Sequence, residues 1–210
     1  IASYGEQLLE WLQKYVFPVE ARYKDKKYAQ NAAEDFVSEL LRCGTTTALV
    51  FCTVHRESVD AVFEAAEKRD MLLIAGKVMM DREPFAPPEL RMEAEECEGL
   101  CKELIAKWHK RGRCLYAVTP RFAVTSTTDQ LERAGKLLNT AEGLYVHTHM
   151  NENTNEIKMV KELHNAESYL EVYDRAGLTG PRSVFAHCIH MQDEELKVMS
   201  DTKSVVKPTP

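Results

Sequence analysis

Two histidines and a carboxylate stand close together in the stretch GLYVHTHMNE, residues 143–152. They are His147, His149 and Glu152. The run before them is apolar and aromatic, the pattern of a buried strand. Residues two apart on a strand share a face, so His147 and His149 point the same way, with Tyr145 below them. On the inner face of a barrel, His149 would stand at the C-terminal end of its strand. There an imidazole can hold a metal, and Glu152 can lean back over it. A metal ion activates water but does not shuttle its protons, so such a site needs an adjacent carboxylate. The competing reading is a polar strand end that carries two histidines without chemical purpose. These ten residues alone leave both open.

The elements that must position this group follow in order. EQLLEWLQK, residues 6–14, has apolar residues at helical spacing, and Pro18 predicts a break after it. Residues 28–42 predict a helix with Ala32, Phe36, Leu40 and Leu41 on one face, closed by Gly44. TTTALVF, residues 45–51, reads as a strand. A helix follows from Ser58, with Ser58 as its N-cap. MLLIAGKVMM, residues 71–80, reads as one buried strand. After a proline-rich acidic loop, residues 89–112 predict a long amphipathic helix, its acidic run from Glu93 to Glu98 a solvated face. CLYAVTPRF, residues 114–122, is a strand, and a helix capped by Thr127 or Thr128 precedes the 143–152 strand. Two more helices, the strand SVFAHCIH, a short helix and the start of a strand at KSVV complete the chain.

Alternating strands and helices with continuously apolar strands imply a parallel sheet covered by helices. An open nucleotide-binding sheet would carry a glycine-rich strand-to-helix turn, and none is present. Arg121, His149, Glu152 and His187 all fall at C-terminal strand ends, where barrels gather their chemistry. The expected fold is therefore an α/β (β/α)8 TIM-type barrel. Six strands are legible, and a closed barrel has eight.

Composition narrows the function classes. The chain has 210 residues, is 44% hydrophobic and 29% charged, and has a formal net charge of -6. That is an ordinary globular balance. A mildly acidic chain without a Lys/Arg cluster argues against nucleic-acid binding. No apolar run reaches membrane-spanning length, and the N-terminus does not read as a signal peptide. Six cysteines, several inside apolar runs, suit reduced thiols and a cytoplasmic setting. Cys97 and Cys101 lie four apart in a helical pattern and read as helix residues rather than metal ligands.

Taken together, SYGEQLLEWLQKYVFPVE, GTTTALVF, AGKVMMDR, VTPRF, HTHMNEN and VFAHC, in this order, resemble the guanine deaminases of the amidohydrolase superfamily. The resemblance runs along nearly the whole chain. It implies a metal-dependent barrel that hydrolyses guanine to xanthine and ammonia, with one zinc ion and iron as the other candidate. The family's histidine-then-glutamate motif falls on His149 and Glu152, and its next-strand histidine on His187. By this resemblance His149 and His187 are metal ligands and Glu152 is the catalytic acid and base. Arg121 and Phe122 match the purine-contacting pair, Arg121 donating to the guanine carbonyl and Phe122 packing on the ring. Asn151 departs from the family's usual serine. His147 becomes an interior residue one layer below the metal. His55, His109, His164 and His190 read as solvated or structural.

The family's His-x-His motif would precede Ile1, and its last-strand aspartate would follow Pro210. The expectation is thus that residues 1–210 form the central part of one catalytic barrel, with the first and last strands missing. Two histidines fall short of the ligands a catalytic zinc needs. On that expectation residues 1–210 alone bind zinc weakly and turn over no guanine. The other readings are a deaminase of a different amino-azaheterocycle and an inactive truncated barrel. The expected partner is a small-molecule substrate, with no nucleic acid and no membrane. The assembly state stays open, a homodimer included.

Overall fold

A computed structural model describes residues 8–207. The chain enters through a helical passage: α1 (Leu8–Trp11), a π-helical turn over Leu12–Val16, α2 (Phe17–Glu20) and a 3-10 turn over Ala21–Lys24. The break predicted at Pro18 does not occur. Pro18 lies in the first turn of α2, where its missing N–H removes no helical bond. The wider π turn just before it absorbs the change in register. Glu6 and Gln7 of the predicted first helix, and the Pro208–Pro210 stretch, lie outside the described residues.

The helix α3 (Lys26–Arg42) starts at Asp25, whose side chain accepts from the Tyr28 N–H at 2.7 Å. Its buried face is Ala29, Ala33 and Val37, not the predicted Ala32, Phe36, Leu40 and Leu41; Phe36 is 41% exposed. Small residues win this face because α3 packs flank to flank on the next helix, α4 (Arg56–Glu67), itself rich in buried alanine. Gly44 closes α3 in the left-handed conformation, φ 81°. Between the two helices lies β1 (Thr47–Phe51). Ser58 does not cap α4, which begins two residues earlier. Its hydroxyl accepts from the Thr53 N–H at 3.1 Å and donates to the His55 carbonyl at 2.9 Å, tying the end of β1 to the helix.

The predicted 71–80 strand divides into β2 (Leu72–Gly76) and β3 (Val78–Met79). The divide is Lys77, whose backbone N–H donates to the Tyr116 hydroxyl at 3.2 Å. Then come a 3-10 turn at Pro88–Leu90, α5 (Ala94–Trp108) and β4 (Cys114–Pro120). The helix α5 is shorter than residues 89–112 because its C-cap, His109, is already extended. α6 (Thr128–Leu137) is capped by Thr127, and β5 (Tyr145–Met150) carries the two histidines. α7 (Thr154–His164), α8 (Tyr169–Arg175), β6 (Ser183–His187), α9 (Asp193–Thr202) and β7 (Val205–Lys207) finish the chain. No helix among the described residues is long and apolar enough to cross a membrane.

All strand pairs of the sheet are parallel, in the order β1-β2-β4-β5-β6-β7, with β3 beside the end of β4. β1 and β5 are three strand positions apart, about 14 Å on a flat sheet. Yet the Phe51 ring of β1 packs on His147 and His149 of β5, with centroids 3.9 and 4.3 Å apart. Side chains that stand perpendicular to a flat sheet cannot meet over that distance. The sheet is therefore curled with β1 and β5 facing across its inside, the geometry of an incomplete (β/α) barrel. The outer side is sealed by aromatics: Phe63 stacks on Trp108, and Tyr173 packs against Phe185. Each side chain buried this way contributes roughly 1.5–3 kcal/mol.

One contact is close enough to test. A Cβ added at Gly135 in α6 would lie 1.8 Å from the Ala176 carbonyl oxygen. Alanine is normally better than glycine inside a helix by about 1 kcal/mol. Here overlap with backbone wins, and Gly135→Ala is expected to destabilise by roughly 1–3 kcal/mol, read from a lowered urea midpoint. An unchanged or raised midpoint would show that α6 and the turn after α8 can move apart freely.

Candidate functional site

The inner ends of β4, β5 and β6 meet the helical entry passage at one cavity of about 280 Å³. Arg121, Phe122, His149, Glu152 and His187 line it from the sheet side, and Leu8, Trp11, Leu12 and Val16 from the passage. All five site residues expected from the sequence thus share one space. His147 does not reach it. It is buried one layer down, and neither of its ring nitrogens has a hydrogen-bond partner.

Each side chain has a local reason for its place. The His149 Nδ1 lies 2.8 Å from the Arg121 carbonyl oxygen. A carbonyl only accepts, so Nδ1 carries the proton and Nε2 keeps its lone pair. Burial, then the nearby Arg121 charge, pushes the His149 imidazolium pKa down to about 3. The ring is therefore a neutral donor at physiological pH. Strand alternation would put His187 on the face of Phe185, toward Tyr173 and the helices. Instead His187 and Cys188 take left-handed backbone, φ 71° and 54°. That turn brings the His187 ring onto the His149 ring, centroids 5.4 Å apart and near parallel. Such backbone in non-glycine residues costs about 1–3 kcal/mol each. Neighbouring backbone holds it: Cys188 N–H donates to Met150 O at 2.8 Å and Ile189 N–H to Asn151 O at 3.0 Å.

Glu152 reaches back to His187, Oε2 to Nε2 3.4 Å. Burial raises its pKa, while His187 and Arg121 pull it down. Its backbone is fixed from two sides that the sequence reading missed. Asn151, left-handed at φ 53°, donates to the Glu195 carboxylate at 2.8 Å. Glu156 accepts the N–H groups of Glu152 and Asn153, each at 3.2 Å. The signal for the second was present as Asn-x-x-Glu, a capping box at the start of α7.

Arg121 carries the largest surprise. Its guanidinium donates to both Glu20 oxygens, at 2.7 and 3.0 Å, and lies over the Phe17 ring at 5.1 Å. The two side chains are 11% and 14% exposed, so this is no solvated surface pair. No local pattern announced Glu20, because the partners are 101 residues apart in sequence.

Zinc asks for three or four N, S or O ligands. Neutral His149 with a free Nε2, and His187 beside it, have the right chemistry for two ligands. Among the described residues, no three His, Cys, Asp or Glu side chains converge as a metal-holding group. The set fits zinc in kind and is incomplete in number.

Comparison with known proteins gives the following. The model of the amidohydrolase family matches residues 2–207. The guanine deaminase of Escherichia coli (strain K12) is 52% identical over 207 residues, covering 98% of this chain and 47% of that protein. The structure of the E. coli guanine deaminase superposes with a TM-score of 0.97, covering 100% of this chain and 48% of that one. A guanine deaminase from C. acetobutylicum, solved with guanine bound in its active site, superposes at 0.91 with 31% identity, covering 96% and 48%. The chain thus spans about half the length of the relatives it matches.

The Glu156 cap makes a pH prediction. Burial raises the Glu156 pKa from 4.5 to about 7. The folded chain then holds that proton more tightly than the unfolded chain. Its contribution to stability is full below about 4.5 and declines as pH rises to about 7. Glu156→Gln keeps an acceptor for both N–H groups and has no proton to lose. Urea midpoints across that range are expected to slope downward in the parent and to be flatter in the variant. Equal slopes would remove Glu156 as the cause.

Proposed function

The chain belongs to the amidohydrolase family, and on that premise we propose that the protein carrying it hydrolyses guanine to xanthine and ammonia. The observation that carries the reading is the shared cavity. His149, His187, Glu152, Arg121 and Phe122 line one space in a chain 52% identical to a guanine deaminase. His149 through Nε2, and His187, would hold a zinc ion. Zinc, when bound, supplies activation of water near neutral pH.

The remaining steps belong to this chain's own residues. Guanine enters between the passage and the strand ends, with Phe122 packed on its ring. Arg121 donates to the guanine carbonyl oxygen; a guanidinium only donates, so an amino group at that position is refused. Glu20 supports this by holding one side of the guanidinium at a fixed angle. Glu152 gives a proton to the ring nitrogen as water adds to the carbon bearing the amino group. Now a carboxylate, it takes up a proton from the added water and passes it to the departing nitrogen, which leaves as ammonia; the remaining hydroxyl proton returns to Glu152 as the new carbonyl forms. A carboxyl with a raised pKa suits this double transfer better than a fully solvated one. The thiols, all free, fit the reducing cytoplasm.

The test is ammonia release from guanine, with metal analysis, on the full-length protein. Glu152→Gln is expected to lower kcat by about 10²–10⁴-fold, with a small change in KM. Arg121→Ala is expected to lower kcat/KM by roughly 1.5–3 kcal/mol equivalent, mostly through KM. Unchanged turnover in both variants would move the chemistry elsewhere. No ammonia from the metal-loaded parent would remove guanine as the substrate.

A further inference from the structure

Away from the imidazole cavity, Lys77 is fully buried where β2 gives way to β3. A lysine is almost never fully buried without a partner. Its Nζ donates to the Val78 carbonyl and to the Cys97 sulfur, each at 3.2 Å. Among the described residues, no carboxylate forms an ion pair with it. Cys97 sits on the inward face of α5 with Cys101 one turn on, and Tyr116 of β4 packs beside them; all three are fully buried. Cys101 follows Cys97 on the same buried face of α5. The Tyr116 oxygen also accepts the Lys77 N–H at 3.2 Å. Lys77 thus joins the Cys97 sulfur on α5 to the Tyr116 hydroxyl on β4.

The acceptors of the buried ammonium decide the charge. The Lys77 Nζ donates to a backbone carbonyl and to the Cys97 sulfur, and of these two only the sulfur can carry a negative charge. A thiol is a weak acceptor, whereas a thiolate is a strong one. We propose that Cys97 is a resident thiolate, the counter-ion of a charged Lys77 sealed beneath the sheet. The neighbouring Cys101 thiol, and then the Lys77 charge, hold the Cys97 pKa down, at about 6, against burial. Burial pushes the Cys52, Cys114 and Cys188 thiols upward. The groups facing the pair are Cys101 from α5, Tyr116 from β4, Asp81 after β3 and His55 before α4; Asp81 opposes the thiolate, and the Lys77 charge acts on His55.

The pair predicts a pH dependence of its own. A depressed thiol pKa gives stability that is full above the ordinary value of 9.0 and is lost as pH falls to about 6. The experiment is ultraviolet thiolate absorbance of the full-length protein, titrated downward from neutral pH. One thiolate equivalent is expected at neutral pH, lost near a midpoint of about 6. It should be absent in Cys97→Ser and unaffected in Cys188→Ser. In parallel, Lys77→Met and Cys97→Val should each lower the urea midpoint. The double variant should return most of that loss, because removing one partner strands a buried charge and removing both does not. If Lys77→Met fails to fold, the titration of parent against Cys97→Ser still decides. Absence of a Cys97-dependent absorbance step, or simple additivity of the two substitutions, would overturn the proposal.

Discussion

The carbonyl oxygen of Arg121 is the fixed point of the site. It accepts the backbone N–H of His149 at 3.2 Å, the same residue's Nδ1–H at 2.8 Å and the Thr148 hydroxyl at 3.3 Å. One oxygen thereby locks the end of β4 to the end of β5, selects the His149 tautomer and sets the root of the Arg121 side chain. The opposite side of the strand end is held by Tyr173, whose hydroxyl donates to the His149 carbonyl at 2.8 Å. Loss of register by one residue would break all of these at once and turn His149 to the other face. The cavity's geometry is thus a property of backbone pairing more than of side-chain packing.

The charges are arranged with the same economy. Positive Arg121 lowers the proton affinity of His149 and pulls against the raised pKa of Glu152. Left alone in a half-dry cavity, it would also be a costly group to bury. Glu20 supplies its counter-charge from outside the sheet. Phe51, which stacks on His149, excludes water from the ring's far side. A neutral imidazole, a reluctant acid and a compensated cation can then coexist in a small volume.

Much of this was legible in the sequence, and the parts that were not have physical causes. Continuously apolar runs alternating with helical patterns gave the strands and the parallel barrel class, because burial on both faces writes directly into residue type. The strand-end polar residues identified the cavity wall. The errors arose where a local rule met a tertiary one. Pro18 is tolerated because it falls in a first helical turn. The buried face of α3 follows the close approach of α4 rather than the larger side chains. Lys77 divides a strand that its neighbours spell as continuous. The Glu20 partner of Arg121 and the re-aimed His187 could not be read, since neither long-range pairing nor left-handed backbone leaves a mark on residue spacing.

The Glu20–Arg121 pair carries a consequence for how the molecule assembles. Its partners are separated by 101 residues. Closing a loop of that length has an entropic cost of about 4 kcal/mol, by the logarithmic scaling of loop closure. Strand neighbours such as β5 and β6 close far shorter loops and gain backbone bonds as they do so. Contacts of high sequence separation are favoured only after the intervening chain is already compact. The entry passage is therefore a roof laid onto finished walls, and the same order in reverse makes it the first part to lift away. The last contact to form is in this way also the one that seals the cavity.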